Sequence, residues 1–199
     1  MKPAVLALLA FLVPAAAHAT ATPRALTDAA ARVAALAKAK DRAFPLASPS
    51  IVIRKKDRVL ELRDGDVLLE TIPIALGLTP EGPKRAAGDM KTPEGRYSVC
   101  WRNGDSQFHL FLGLSYPNAA DAEAGKKAGL VDDATAKKIR ASETAHEKPD
   151  WYTKLGGAVG IHGGGTGRDW TWGCIGLSDE NIDELWAACP VGTPVEIVP

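Results

Sequence analysis

The sequence has no surplus of charge in either direction: 24 Lys and Arg stand against 24 Asp and Glu. Phosphate binding normally leaves a basic excess, so nucleic acid is excluded as the main partner. The same balance excludes strong electrostatic adhesion to an anionic membrane. Beyond residue 20 no apolar run approaches the roughly 20 residues that span a bilayer. Cysteines are few, at 100, 174 and 189, and none belongs to a Cys-x-x-Cys pair, so no metal site is expected. No Gly-x-Ser-x-Gly elbow accompanies the His-Gly-Gly-Gly run at 162–165, which argues against a serine esterase. The run GGGTG at 163–167 lacks the lysine of a phosphate-binding loop. No internal repeat is present, and no cofactor is implied.

What the chain does have begins with an export signal. Lys2 gives a positive start, residues 4–13 (AVLALLAFLV) are apolar, and Pro14 breaks the run. Ala17-His18-Ala19 fits the small-x-small rule for cleavage. The run is too short for an anchor. Residues 1–19 are therefore expected to be a signal peptide, with the mature chain starting at Thr20 and the product secreted, in the periplasm.

Hydrophobic residues make up 46% of the 199, enough for one domain with its own core. Residues 20–49 read as an N-terminal helix and linker: residues 24–40 are alanine-rich with helical spacing, and 44–49 (FPLASP) carry prolines. From residue 50 the pattern turns to short β-prone runs, with Asp64-Gly65 as a turn between two of them. Strands are expected at 67–76, 96–101, 109–115, 158–162 and 193–198. Residues 78–95 are rich in Gly and Pro and read as a loop. Residues 118–148 read as one or two helices, and Ser178 caps another over 179–188. Strands dominate and helices come late, so the fold class is β-rich α+β with inserted and flanking helices.

Chemistry concentrates at 160–177, GIHGGGTGRDWTWGCIGL. An odd cysteine in an exported protein calls for a reason, and a reactive thiol is one. Cys174 follows His162 by twelve residues. An imidazole can take the proton of a thiol, and the thiolate attacks carbonyls. Glycines beside the cysteine let a carbonyl approach backbone N–H groups. Cys100 and Cys189 read as small buried apolar residues, with a disulfide between them as the alternative.

These residues carry a family resemblance. His162-Gly163 followed by Thr171-Trp172-Gly173-Cys174-Ile175 resembles the signature of the L,D-transpeptidase (YkuD-type) catalytic domain. Gly82-Pro83-Lys84, Gly88-Asp89 and Lys91-Thr92-Pro93-Glu94-Gly95 are similar to the family's upstream loop, and so is Phe108-His109-Leu110 leading to Ser115-Tyr116-Pro117-Asn118. The resemblance spans residues 50–199 and implies a peptidoglycan enzyme acting on stem peptides. Cys174 would form a thioester, His162 would be its base, and the Gly163 carbonyl would orient His162. Backbone N–H groups near Gly173 and Cys174 would hold the oxyanion, Thr171 would shape the cysteine loop, and His109 would line the cleft or face solvent.

Two positions depart from the family pattern. Gly176 stands where arginine is usual, and Trp172 where histidine is frequent. Loss of an arginine removes a bidentate donor. Transfer to an amine and hydrolysis therefore both stay open, as does a catalytically silent wall-binding module, with hydrolysis expected to compete with transfer. Trp170 and Trp172 either stack on substrate or pack the loop.

Overall fold

A computed structural model describes residues 21–199, so the expected signal peptide lies outside the described residues. Thr22 starts the first helix: its hydroxyl accepts the Ala25 N–H at 3.2 Å, and proline follows at the first helical position. Helix α1 (Pro23–Lys38) buries Ala29, Val33 and Ala37 on one face. It packs on α4 (Asp179–Ala188), where Arg32 Nε meets Glu184 Oε1 at 2.6 Å.

Eight strands form one curled mixed sheet in the order β3-β2-β1-β8-β4-β5-β6-β7. Strands β1 (Pro49–Arg54), β2 (Val59–Asp64) and β3 (Val67–Pro73) make an antiparallel meander. Gly65, at φ +58°, makes the tight turn between β2 and β3 that its missing Cβ permits. Strand β8 (Pro194–Val198) joins β1 in parallel and β4 (Gly95–Ser106) in antiparallel register. Strand β5 (His109–Leu114) folds back on β4, and β6 (Gly160–His162) adds to β5. The inner face of this sheet, with Ile53, Leu60, Leu62, Val99, Leu112, Ile161 and Ile197, closes one core under α4. Full burial of each such side chain stabilises the fold by about 1.5–3 kcal/mol.

Residues 118–148 form two helices. Asn118 and Asp121 cap α2 (Ala119–Lys127) reciprocally, and Asp132 caps α3 (Asp133–Thr144). Ser178 caps α4 by accepting the Asn181 N–H, as its position in the sequence implies. The β-rich α+β class is thus the class observed.

Two local differences matter for the site. The strand expected over 67–76 ends at Pro73. The chain then leaves the β2 edge, and Ala75 exchanges backbone hydrogen bonds with Gly176 (2.8 and 2.9 Å). The sheet also gains β7 (Ile175–Gly176), a two-residue strand parallel to β6.

Candidate active site

His162 closes β6, and Ile175 opens β7 immediately after Cys174. The register pairs Ile161 with Ile175 and His162 with Gly176, so the sheet brings the two expected reactive residues to one end. Both line an open cavity of about 460 Å³ whose walls include Trp101, Phe111 and Trp151.

His162 is held on three sides. Phe108 stacks on its ring at 4.7 Å between centroids, Trp170 meets it edge-on at 5.5 Å, and Phe111 lies beyond at 6.3 Å. Its Nδ1 lies 2.7 Å from the Gly163 carbonyl oxygen. A carbonyl can only accept, so Nδ1 carries the proton and Nε2 keeps the lone pair. Burial moves the His162 pKa below its ordinary value, against the opposing pull of the Gly163 bond. The ring is therefore neutral at pH 7.

Cys174 is half-buried, and its Sγ lies 3.6 Å from the Ala158 carbonyl oxygen. Burial pushes the thiol up to about 11, with a backbone hydrogen bond at Gly160 and the charge of Lys84 pulling the other way. The resting pair is thus neutral thiol and neutral imidazole. An unprotonated Nε2 in the same cavity is chemically able to act as a general base toward a thiol.

The cysteine loop is shaped from within. The buried Thr171 hydroxyl donates to the Cys174 carbonyl (2.7 Å) and accepts the Gly173 N–H (3.1 Å). Gly173 sits at φ +124°, and a Cβ there would come within 2.6 Å of the Lys91 carbonyl oxygen, so only glycine fits. Asp169 fixes the start of the turn: Arg58 grips its carboxylate through Nε and Nη2, and it accepts the Leu76 N–H at 2.8 Å. Neither Asp169 nor Arg58 stands in a motif that would single it out.

Three further placements bear on the expected site. Gly173 N–H is committed to Thr171, whereas the Cys174 N–H has no hydrogen-bond acceptor among the described residues. His109 does not line the cavity; it has φ +70°, and its Nε2 meets Asp183 Oδ1 of α4 at 2.8 Å. Trp172 is 76% exposed and stands outside the cavity, whereas Trp170 packs against His162 and donates from Nε1 to the Gly165 carbonyl (3.0 Å). Trp170 also bears on Gly176: a Cβ there would lie 3.2 Å from both Trp170 Nε1 and Gly165 O. The three cysteines are all free, so Cys100 and Cys189 are not joined. Among the described residues no His, Cys, Asp and Glu group is placed to hold a metal, and no helix is long and apolar enough to cross a membrane.

Comparison with known proteins adds to this geometry. No curated protein matches the chain by sequence. Among solved structures, the helical cell shape determining protein Pgp2 of Campylobacter jejuni is similar in fold, with TM-score 0.51 and 23% identity over 75% of this chain and 47% of that one. Bd1075 of Bdellovibrio bacteriovorus matches at TM-score 0.48 and 21% identity, over 77% of this chain and 48% of its own. An L,D-transpeptidase of Xylanimonas cellulosilytica matches at TM-score 0.45 and 13% identity, over 77% and 61%. The chain thus spans only about half to three fifths of the proteins it resembles. The family model for the L,D-transpeptidase catalytic domain matches residues 48–197, taking in both the upstream loop and the cysteine segment, and the chain belongs to this YkuD family.

Proposed function

We propose that the protein is an exported L,D-transpeptidase acting on peptidoglycan stem peptides, with Cys174 as nucleophile and His162 as base. The observation that carries this reading is the shared cavity. Cys174 and His162 both line it, the imidazole Nδ1 is tied to Gly163 O, and the Cys174 N–H has no hydrogen-bond acceptor among the described residues.

The reaction proceeds in two halves. His162 Nε2 takes the thiol proton as Cys174 Sγ bonds to the carbonyl carbon at the L-centre of a diamino acid. The carbonyl electron pair moves to oxygen, where the Cys174 N–H receives it. Collapse expels the amine of the terminal D-residue, which leaves with the proton returned by His162, and a thioester remains. An acceptor amine then attacks the thioester, gives its proton to His162 and releases the thiol. Water in place of the amine gives hydrolysis. The Gly163 carbonyl keeps Nε2 available throughout, the part a carboxylate takes in other triads.

Incubation with purified stem tetrapeptides, an acceptor amine and mass analysis of products tests this. The expected outcome is exchanged or cross-linked stems, with an acyl adduct on the wild-type protein that is absent from Cys174→Ser. Only shortened stems would make the protein a hydrolase of the same site. No adduct and no product would reject the reading in favour of a silent wall-binding module.

A further inference from the structure

Lys84 is only 4% exposed although it sits in a loop rich in Gly and Pro. A buried ammonium is costly unless it is fully partnered. Its Nζ donates to Asp89 Oδ1 (2.8 Å) and to the Ala86 carbonyl (3.0 Å). Asp89 in turn accepts the backbone N–H groups of Arg85 (2.7 Å), Ala86 (3.0 Å) and Lys91 (3.1 Å). Against the cost of burial, Lys84 and these three donors hold the Asp89 carboxyl below its usual range. One carboxylate therefore gathers the loop and fixes the lysine in one pose.

That pose brings Nζ close to the residue that precedes Cys174. A Cβ built on Gly173 would lie 4.0 Å from Lys84 Nζ, and one on Gly156 would lie 3.3 Å from Lys84 Cε. Lys84 thus threads between Gly156 and Gly173. The segment after Gly156 supplies the Ala158 carbonyl that the thiol faces, and Gly173 leads directly into Cys174. The ammonium lies near the Gly173–Cys174 peptide.

We infer that Lys84 is a positioning residue that stabilises the negative charge developing on Cys174 and its adduct, acting through the Gly173–Cys174 peptide. The inference rests on Cys174 being the nucleophile. When the thiol proton passes to His162 and the carbonyl pair moves to oxygen, one negative charge appears beside the apolar walls of Phe111 and Trp151. A fixed cation nearby is worth more there than in water. The charge of Lys84 already opposes the burial that raises the Cys174 thiol.

A purely structural lysine would clamp the loop through Asp89 and nothing more, and the two roles separate by sign. If the role is structural, Lys84→Met and Asp89→Asn break the same contact and act alike. If it is electrostatic, they act in opposite senses, because one removes the cation and the other removes its counter-charge. The measurement is iodoacetamide alkylation of the wild-type and variant proteins across pH, followed at Cys174 by peptide mass mapping, with circular dichroism to confirm folding. Lys84→Met should move the alkylation midpoint up by about one pH unit. Asp89→Asn should move it down, and Lys84→Arg should stay near wild type. In stem-peptide turnover, kcat should fall for Lys84→Met with KM little changed. Shifts in the same direction for the first two variants, or no shift in folded Lys84→Met, would overturn the inference. If Lys84→Met does not fold, Asp89→Asn decides alone: a lower midpoint supports the inference and an unchanged or higher one ends it. Turnover surviving in Cys174→Ser would instead end the nucleophile reading, whatever the alkylation midpoints do.

Discussion

Cys174 and Cys189 stand in regions that resist ionisation almost equally. Burial pushes the first thiol up to about 11 and the second up to about 12. Around Cys189 there is little else. It ends α4 with its N–H on the Leu185 carbonyl (2.8 Å), it is fully buried, and the Arg102 charge is the opposing influence. Around Cys174 there are a cavity, an imidazole held in one tautomer, a backbone N–H with no acceptor among the described residues, and a buried cation. Resting acidity therefore does not tell the two thiols apart. What separates them is whether something stands ready to take the proton and to receive the new charge.

Replacement of the two sulfurs is the strongest way to break that comparison. Cys174→Ser should lower turnover of stem peptides by about 10⁴-fold or more. Cys189→Ser should leave kcat near wild type but lower unfolding free energy by about 1–3 kcal/mol, because it places a hydroxyl in an apolar site. Equal loss of turnover in both, measured by product mass and chemical denaturation, would erase the distinction.

The proposed base comes next. His162→Gln should lower kcat by about 10²–10⁴-fold, the range for a positioned general base. The pH dependence has a definite sign. In the proposed mechanism the neutral ring is the active form, and burial lowers its pKa below 6.5. Activity should therefore hold through pH 7 and fall only at more acid pH, as His162 gains a proton. A kcat/KM profile that instead rises steadily through neutrality, tracking thiol ionisation, would mean that His162 is not taking the proton.

Much of this molecule is legible in its sequence, and the exceptions have physical causes. The hairpin strands carry period-two apolar residues and a glycine turn, and α1 and α4 carry their own caps. The segment from His162 to Cys174 points to one site through its resemblance to the family signature, which the spacing alone does not carry. Strand β7 escapes because two residues have no period, and its partner is parallel and twelve or more positions away. The end of β3 at Pro73 escapes because apolar residues continue to 76 while their hydrogen bonds move to Gly176. His109 reads as either a cleft residue or a solvent-facing strand residue, and only the fold shows that α4 brings Asp183 to it. Lys84 stands in the Gly82-Pro83-Lys84 motif, but nothing local reveals that Asp89 folds it inward.

Thr171 tests how far the comparison depends on loop shape and less on the reactive groups. Its hydroxyl serves the Gly173 N–H and the Cys174 carbonyl together. Thr171→Val keeps the volume and leaves Gly173 N–H without its acceptor, at a cost of about 1–3 kcal/mol. Part of that cost should appear in kcat, as a fall of about tenfold to hundredfold, because a freed Gly173 N–H lets the loop reorient the Cys174 donor. Thr171→Ser retains the hydroxyl and should stay within a few-fold of wild type. Steady-state kinetics on the two variants checks this, and equal defects in both would point to lost packing of the methyl group instead.

Gly176 gives the smallest expected effect and the sharpest test of product choice. Read from sequence, glycine here is a missing arginine that leaves the loop open. The structure shows the place filled, with Gly165 O and Trp170 Nε1 each 3.2 Å from a Cβ at 176 and Ala75 Cβ at 3.4 Å. Trp170 is edge-on to His162, so crowding at 176 is transmitted to the base. Gly176→Arg should therefore lower transfer and hydrolysis together instead of restoring transfer, because its side chain must displace the Trp170 indole from its bond to Gly165. Gly176→Ala needs only a shift of a few tenths of an ångström. Its cost lies at the low end of overpacking, about 1 kcal/mol, and should appear as a fall in kcat of about fivefold with the product ratio unchanged. Mass analysis of muropeptide products with an acceptor amine present reads both quantities. A ratio that moves toward transfer in Gly176→Arg would show that Trp170 yields easily, and that an arginine at 176 positions the acceptor even in this crowded loop.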